Sequence, residues 1–335
     1  MSPGARLGFV RSAGRSIERP DMIRYRPIDL TTDLPAMASL LSLTRFQPVT
    51  EARVRDRWQS GESENRLTLV AISEAEECVG LMDVGPDAWI PADDFRCHLV
   101  VEPAWRNQGI GTHLYDMGRR FAGARGARRL QGRAQDGARE AVQFAERRGF
   151  RIGRHEFQSV LVLNAFDEGP FVHRLDATIA AGFTFLTMAD LEPATEDLQL
   201  GLYELNRVTG LDNPSNEGSF PSYEVFCRSV FQVSWYRPEG QILAAGGDRW
   251  SGLAMVAYEP ETKSAHNTFT GVDRPYRGQG LAQALKLLAI RYARAMGATT
   301  IGTGNDSLNA PMLAINEKLG YRRLPGIYHL VCDVD

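Results

Sequence analysis

Apolar and polar positions recur along the chain with two different periods, and the alternation of the two predicts a mixed α and β protein. From Met22 onward IRYRPI reads as a strand, and LPAMASLLSLT has helical spacing. LTLVAIS, CVGLMDVG and FRCHLVVE read as three strands, the last with a long apolar end. A helix is predicted from about 110 to 124, where Ile110, Leu114, Met117 and Phe121 make one apolar stripe that Arg125-Gly126 stops. RRLQGRA, AREAVQFAERRGF and FQSVLVLN follow as strand, helix and strand. The order then begins again. GFTFLTMAD reads as a strand, TEDLQLGLYELNRVTG and SYEVFCRSVF as helices. WYRPEGQILAAGGDRW, SGLAMVAYEP and SAHNTFTGV supply strands, LAQALKLLAIRYARAMG a helix, and ATTIGTG, PMLAINEKLGY and IYHLVCDV a strand, a helix and a strand.

This second pass is a repeat in sequence as well as in pattern. At a constant offset of 171 residues Arg106 falls on Arg277, Gln108 on Gln279 and Gly109 on Gly280. Ile110, Leu114, Met117 and Phe121 fall on Leu281, Leu285, Leu288 and Tyr292, and Glu146, Gly149 and Phe150 on Glu317, Gly320 and Tyr321. An ordered series of matching types without a gap indicates a tandem duplication. The predicted organisation is a leader (1–21), a first domain (22–165), an ordered connector (166–182) and a second domain (183–335). Each domain is expected to be α+β (α/β), with a mixed central sheet flanked by helices. The leader, MSPGARLGFVRSAGRSIERPD, is rich in Arg, Gly and Ser and has no apolar stretch long enough for a signal peptide, so it reads as a flexible tail.

Composition narrows the function classes. The chain has 335 residues with 43% hydrophobic and 24% charged, which fits two folded domains and excludes a disordered chain. The net charge of −3 and the lack of a basic stripe outside the leader argue against nucleic acid as a partner. No run of 18 apolar residues suggests a membrane span. Cys78, Cys97, Cys227 and Cys332 lie far apart with no C-x-x-C pair, so neither a zinc site nor a disulfide framework is expected, and a reducing cytoplasm fits. Cys97, Cys227 and Cys332 read as small buried hydrophobes.

The chemistry concentrates in two glycine loops, RNQGIGTHL and RGQGLAQAL, each between an apolar strand and an amphipathic helix. Gly109 and Gly280 let backbone approach a ligand, and the first amides of each helix have no internal partner and sit at the positive end of the helix dipole. That is a site for a pyrophosphate. Gly111 and Ala282 keep the first turn uncrowded, and Arg106 and Arg277 put positive charge at the rim. Neither loop is a Walker A motif, and Leu114 and Leu285 stand where a Rossmann fingerprint needs its third glycine.

The pattern [RQ]-x-x-G-x-[GA], five residues after a strand-ending Val101 or Val272, resembles the acetyl-CoA loop of the GNAT superfamily of N-acetyltransferases, and the double occurrence resembles its tandem type. FAERRGF (144–150) and AINEKLGY (314–321) resemble the family's helix after the fifth strand. The resemblance implies a sheet splayed between its fourth and fifth strands, with acetyl-CoA as co-substrate. The pantetheine arm would bond to backbone at Leu99 and Val101 or at Thr270 and Val272. The pyrophosphate would lie on Arg106, Asn107, Gln108, Gly109, Ile110, Gly111 and Thr112, or on Arg277, Gly278, Gln279, Gly280, Leu281 and Ala282.

The two halves differ where Asn305, Asn309 and Asn316 fall on Ala134, Ala138 and Ala145. The resemblance implies a cofactor-binding role for Asn309, and Asn305 offers the same donors and acceptor, which alanine lacks. The second domain is therefore expected to be the catalytic one. The family's usual Tyr acid is absent, its positions being Ala145 and Asn316. The acid is then water or another side chain such as Tyr328, and Asn316 is a further catalytic candidate. His266 is the base candidate, sharing strand parity with Thr268, Thr270 and Val272; Glu259 is the alternative, in what reads as a solvated turn. Asn309 before Ala310-Pro311 also reads as a helix cap. Trp105, Trp235 and Trp250 read as packing residues, and the run 212–218 as a polar loop or an acidic lip for an amine. The expected function is transfer of acetyl to a primary amine of a small molecule, by a monomer or homodimer without metal. A peptide or protein amine as acceptor, or a non-catalytic acyl-CoA sensor, are the alternatives.

Overall fold

The computed structural model describes residues 23–45, 48–59, 65–214, 216 and 218–334, so the leader lies outside the described residues. The first half runs β1 (Arg24–Pro27), α1 (Leu34–Ser42), α2 (Glu51–Gln59), β2 (Leu67–Ile72), β3 (Cys78–Pro86), β4 (Asp94–Val101), α3 (Ile110–Ala124), β5 (Arg129–Gln135), α4 (Arg139–Glu146) and β6 (Arg151–Val162). A connecting helix, α5 (Gly169–Ala180), follows. The second half runs β7 (Phe183–Thr187), α6 (Glu196–Leu211), α7 (Tyr223–Val230), β8 (Gln241–Gly246), β9 (Arg249–Glu259), β10 (Ser264–Val272), α8 (Leu281–Ala295), β11 (Thr300–Asp306), α9 (Ala310–Lys318) and β12 (Arg322–Asp333). Helix α2 is not predicted by the apolar pattern. Its sequence EARVRDRWQ carries only two large apolar residues, Val54 and Trp58, one turn apart, and both are buried against α1.

The twelve strands of the described residues form one mixed sheet in the order β1-β2-β3-β4-β5-β12-β6-β11-β10-β9-β8-β7. The last strand of each half has crossed to the other. β12 pairs antiparallel with β5, from Ile327–Gln135 to Asp333–Arg129. β6 pairs antiparallel with β11, from Val162–Thr300 to Glu156–Asp306. β6 and β12 then pair with each other and close the seam. The exchange carries apolar side chains with it. Leu330 and Cys332 of β12 join the first half's core around Ile110 and Leu114, while Leu161 of β6 joins the second half's core around Leu281 and Leu285. Burying one such leucine contributes about 1.5–3 kcal/mol.

One face of the sheet carries α3 and α4 over the first half and α5, α8 and α9 over the second. The other carries α1 and α2, then α6 and α7. Two breaks in strand pairing position the site. β4 and β5 run parallel and pair only over Asp94–Arg96, and β10 and β11 pair only over Ser264–His266. Beyond those residues the strands part, and each half holds an open V in its sheet.

Candidate active site

The two glycine loops have the same shape. Each passes through a short 3₁₀ turn (Pro103–Trp105, Arg274–Tyr276) into a helix capped by a left-handed glycine, Gly109 at φ 87° or Gly280 at φ 86°. A Cβ on Gly109 would meet nothing within 4 Å, so glycine is required there by the dihedral and not by space. The first intrahelical bond of α3 is His113 N–H to Gly109 O at 3.0 Å, which leaves the amides of Ile110, Gly111 and Thr112 ahead of it. In α8 the amides of Gln283 and Ala284 share the carbonyl of Gly280, leaving those of Leu281 and Ala282 ahead.

The loop arginines do more than set charge at the rim. Arg106 Nε donates to Val101 O at 3.1 Å, and Arg277 Nε to Val272 O at 2.9 Å, tying each loop to the end of its strand. The acidic-lip reading of 212–218 changes as well. Asp212, at the end of α6, accepts from Arg277 Nη2 at 2.6 Å and from Arg274 Nε at 2.8 Å. Hydrogen bonding by Arg274 holds its carboxyl below the usual range, so this acid is already neutralised. Ser215 and Glu217 lie outside the described residues.

The floors of the two V's differ. In the second half β10 carries a bulge between Asn267 and Phe269, and β4 pairs with β3 without one. The bulge corrects the expected strand parity. His266 lies opposite Ala257 and shares the α6/α7 face with Phe269 and Met255, whereas Thr270 and Val272 pair with Ala254 and Gly252 on the α5/α8 face. The Asn267 side chain stabilises the bulge, donating to Met255 O at 3.0 Å and to Phe269 O at 2.8 Å and accepting from Thr270 Oγ1 at 2.9 Å. Thr303 Oγ1 donates to Asn267 O at 3.2 Å across the foot of the V. From Asn267 to Val272 the edge of β10 turned toward β11 has no strand partner among the described residues; side chains take the carbonyls of Asn267, Phe269 and Val272, and the other backbone groups of this edge have no strand to bond.

Along β11, Asn305 Oδ1 accepts from Asn316 Nδ2 at 2.5 Å, and the buried Asn316 Oδ1 has no partner among the described residues. Asn309 accepts weakly from Met312 N at 3.4 Å and caps α9. The equivalent places in the first half hold Ala134, Ala145 and Ala138, with Gly132 in place of Thr303. There Arg148 lies 3.5 Å over the Phe144 ring and donates to Thr112 Oγ1 at 2.7 Å beside the loop.

The three candidate catalytic residues do not converge. Asn316 faces the V from α9, and His266 is on the opposite face of the sheet. Tyr328, expected within the second domain, is carried by the strand exchange into the first: it lies between Ala134 and His155 and packs on the core of α3. Burial and the positive charge of Arg53 push His266 down to about 4, which keeps its imidazole neutral near pH 7. Glu259 is not in a solvated turn. It accepts from Arg53 Nε at 3.2 Å and Thr50 Oγ1 at 3.3 Å, joining β9 to α2 of the other half.

Sequence reasoning missed two features. The first is a polar network at the seam. Burial alone would raise the Glu156 carboxyl, but the hydrogen bond from His329 (2.9 Å) and the charges of Arg133 and Arg154 outweigh it and bring it to about 2. Desolvation holds His329 at about 4, and a neutral ring protonated on Nε2 donates to Glu156 while Nδ1 accepts from Arg154 at 2.9 Å. No spacing in the sequence could show this, because the members come from β5, β6 and β12. The second is Lys286, 1% exposed on α8. A lysine between Leu285 and Leu287 inside an apolar helix face is a signal that was available.

A strand, a 3₁₀ turn, a glycine-capped helix and a V in the sheet beside them define a GNAT-type acyltransferase fold, and this chain carries the set twice. Residues 34–150 and 205–321 both match the Acetyltransferase (GNAT) family, and the chain belongs to that family. It is therefore an acyltransferase. Mycothiol acetyltransferase of Acidothermus cellulolyticus is 27% identical over 250 residues, 70% of this chain and 71% of the relative. Mycothiol acetyltransferase of Corynebacterium glutamicum (strain R) is 23% identical over 311 residues, 90% and 95% of the two chains. A tandem GNAT protein from the clavulanic acid biosynthesis pathway has the same fold, with a TM-score of 0.70 at 20% identity over 94% of this chain and 99% of that one.

Proposed function

We propose that the protein is an acetyl-CoA-dependent N-acetyltransferase acting on a primary amine of a small molecule, with its chemistry in the second half. The observation that carries the asymmetry is the bulge in β10, with the polar floor it organises, against the unbulged β4 and the alanines of the first half. The curated relatives, named as mycothiol acetyltransferases, support a small-molecule acceptor. The division at 22–165, 166–182 and 183–335 follows the repeat, with β6 and β12 serving the opposite half.

The residues present fit acetyl-CoA. The amides of Gly278 to Ala282 would hold the diphosphate, and the unpaired edge of β10 at Thr270 and Val272 would hold the pantetheine arm. The orphaned Asn316 Oδ1 is an acceptor waiting for an N–H, and Asn305 orients it. Asn309 fixes the start of α9, which carries Asn316. Bound there, the co-substrate supplies an acetyl group activated as a thioester. His266, neutral and partly exposed, is placed to take the proton of the attacking amine. The first half keeps its loop, Arg106 to Thr112, and would hold cofactor less tightly, in a regulatory role. A cytoplasmic monomer or homodimer is the expected form.

A second reading, a non-catalytic acyl-CoA sensor, is favoured by the lack of a tyrosine at both 145 and 316. Calorimetric titration of the full chain with acetyl-CoA, together with thiol release against amino sugars, amino acids and peptides, separates the two. Binding with turnover on a small amine supports the enzyme. Binding without turnover across the panel supports the sensor, turnover on peptides alone moves the acceptor class, and no binding ends both readings.

A further inference from the structure

Lys286 occupies a place that costs the fold stability. It is buried beneath the V of the second half, and among the described residues it forms no ion pair with a carboxylate. Its one hydrogen bond is long, Nζ to Thr303 Oγ1 at 3.4 Å, and its ammonium lies 5.3 Å from the Tyr321 ring centroid. A buried ammonium without a counter-ion is unfavourable, and a methionine of similar shape would pack there without that cost. The first half holds Tyr115 at the equivalent position.

The location is as specific as the burial. Thr303 bridges to the bulge carbonyl of Asn267, so Lys286 stands at the foot of the V, where β10 and β11 diverge. Tyr321 Oη, beside it, has no hydrogen-bond partner among the described residues. An uncompensated positive charge at the bottom of an open cleft is arranged to meet a negative charge that arrives or develops there.

We infer that Lys286 is the proton donor to the departing thiolate of coenzyme A, the role for which position 316 holds asparagine in place of tyrosine. The inference rests on the reading of the second V as the acetyl-CoA site. The amine nitrogen attacks the thioester carbonyl carbon, the C–N bond forms and the C–S bond breaks with its electron pair left on sulfur. Lys286 Nζ gives a proton to that sulfur and becomes a neutral amine. The proton lost by the attacking amine, taken up by His266 or water, restores the balance, and Lys286 is recharged from solvent when the product thiol leaves. Desolvation makes this transfer favourable: it pulls the ammonium from its ordinary 10.5 down to about 7, below the roughly 8.5 of a free thiol. The groups facing Lys286 are the Thr303 hydroxyl on β11 and the Tyr321 ring after α9. His266 on β10 feels its charge through the sheet, together with the positive charges of Arg53 and Arg45 and the opposing negative charge of Glu156 on β6.

The test uses the full chain with acetyl-CoA, following thiol release with and without added amine. The wild-type rate should fall as pH rises above about 7. Lys286→Met should bind acetyl-CoA within about threefold of wild type by calorimetry, lose about 100-fold in kcat and lose that basic limb. Lys286→Arg, whose cation does not give up its proton, should be equally slow. A readout apart from activity is thermal stability against pH. The Met variant should be the more stable below pH 7, and the gap should close toward pH 10.5, because only the unfolded wild type takes up that proton in between. Wild-type rates and an unchanged basic limb in Lys286→Met, or full activity in Lys286→Arg, overturn the proton donor while leaving the acetyl-CoA site standing. Failure of the wild type to bind acetyl-CoA overturns both.

Discussion

The two halves share a loop and differ in a floor. At the glycine loops they are nearly superimposable in local geometry, down to an arginine Nε that holds the preceding strand end at 3.1 Å in one and 2.9 Å in the other. Below the loops the second half has the bulge, Asn267, Thr303, Asn305, Asn316 and Lys286, and the first half has a regular strand, Gly132, Ala134, Ala145 and Tyr115. Phosphate recognition by helix-start amides requires only a backbone path, so it survives as long as the glycines do. Chemistry at a thioester requires buried polar side chains, each of which destabilises the fold unless it is used. A duplicated domain can therefore keep the first without the second.

The largest effect is expected at the seam. A chain ending at Tyr321 lacks β12 and leaves β5 without its antiparallel partner, so the first half should lose cooperative denaturant unfolding although its own residues are all present. The milder Leu330→Ala should cost about 2–5 kcal/mol. Intact unfolding of the first half without β12 would disprove the exchange.

Next in size are the loops. Valine at 280 or 109 meets a left-handed φ that costs about 1–3 kcal/mol, and either substitution should lower acetyl-CoA binding at its own loop. Only Gly280→Val should stop thiol release. Loss of activity on Gly109→Val alone would reverse the assignment of the halves. Asn316→Ala gives the second half the first half's residue, and should raise KM for acetyl-CoA about 2- to 10-fold, the equivalent of about 0.5–1.5 kcal/mol.

Acid sensitivity should follow the seam and the second half together. The folded His266 and His329 are held near 4, against an ordinary 6.5. Between those values the unfolded chain binds more protons, so stability rises with pH from about 4 to 6.5 and is lost on acidification. His329→Gln should flatten part of that slope in a Tm series; an unaltered slope would show that the network does not hold the ring neutral. The smallest effect is expected for Arg53→Ala at the contact with Glu259. The arginine side chain is 36% exposed, and an exposed pair contributes about 0–1 kcal/mol.

Much of the fold is legible in the sequence. The helix at 110–124 and the strands on either side of it follow from one apolar stripe and from Gly109 and Gly126, and the repeat doubled every such inference. α2 was not legible, because Val54 and Trp58 are too few to mark a period. The bulge was not legible either, and it moved His266 to the other face. Strand parity read from sequence assumes regular pairing, and one extra residue reverses every side chain before it.

What the sequence determined by itself was local: periods of apolar residues, glycines at left-handed positions, the loops those glycines permit, and the duplication that sets one half against the other. Tertiary structure alone decided which half β6 and β12 complete, where Tyr328 lies, and that Arg133, Arg154, Glu156 and His329 meet. The physical reason is that the hydrophobic effect and strand hydrogen bonding act within either half as well as between them. A strand's pattern states which face it buries, and only the competition among all available edges states against whom.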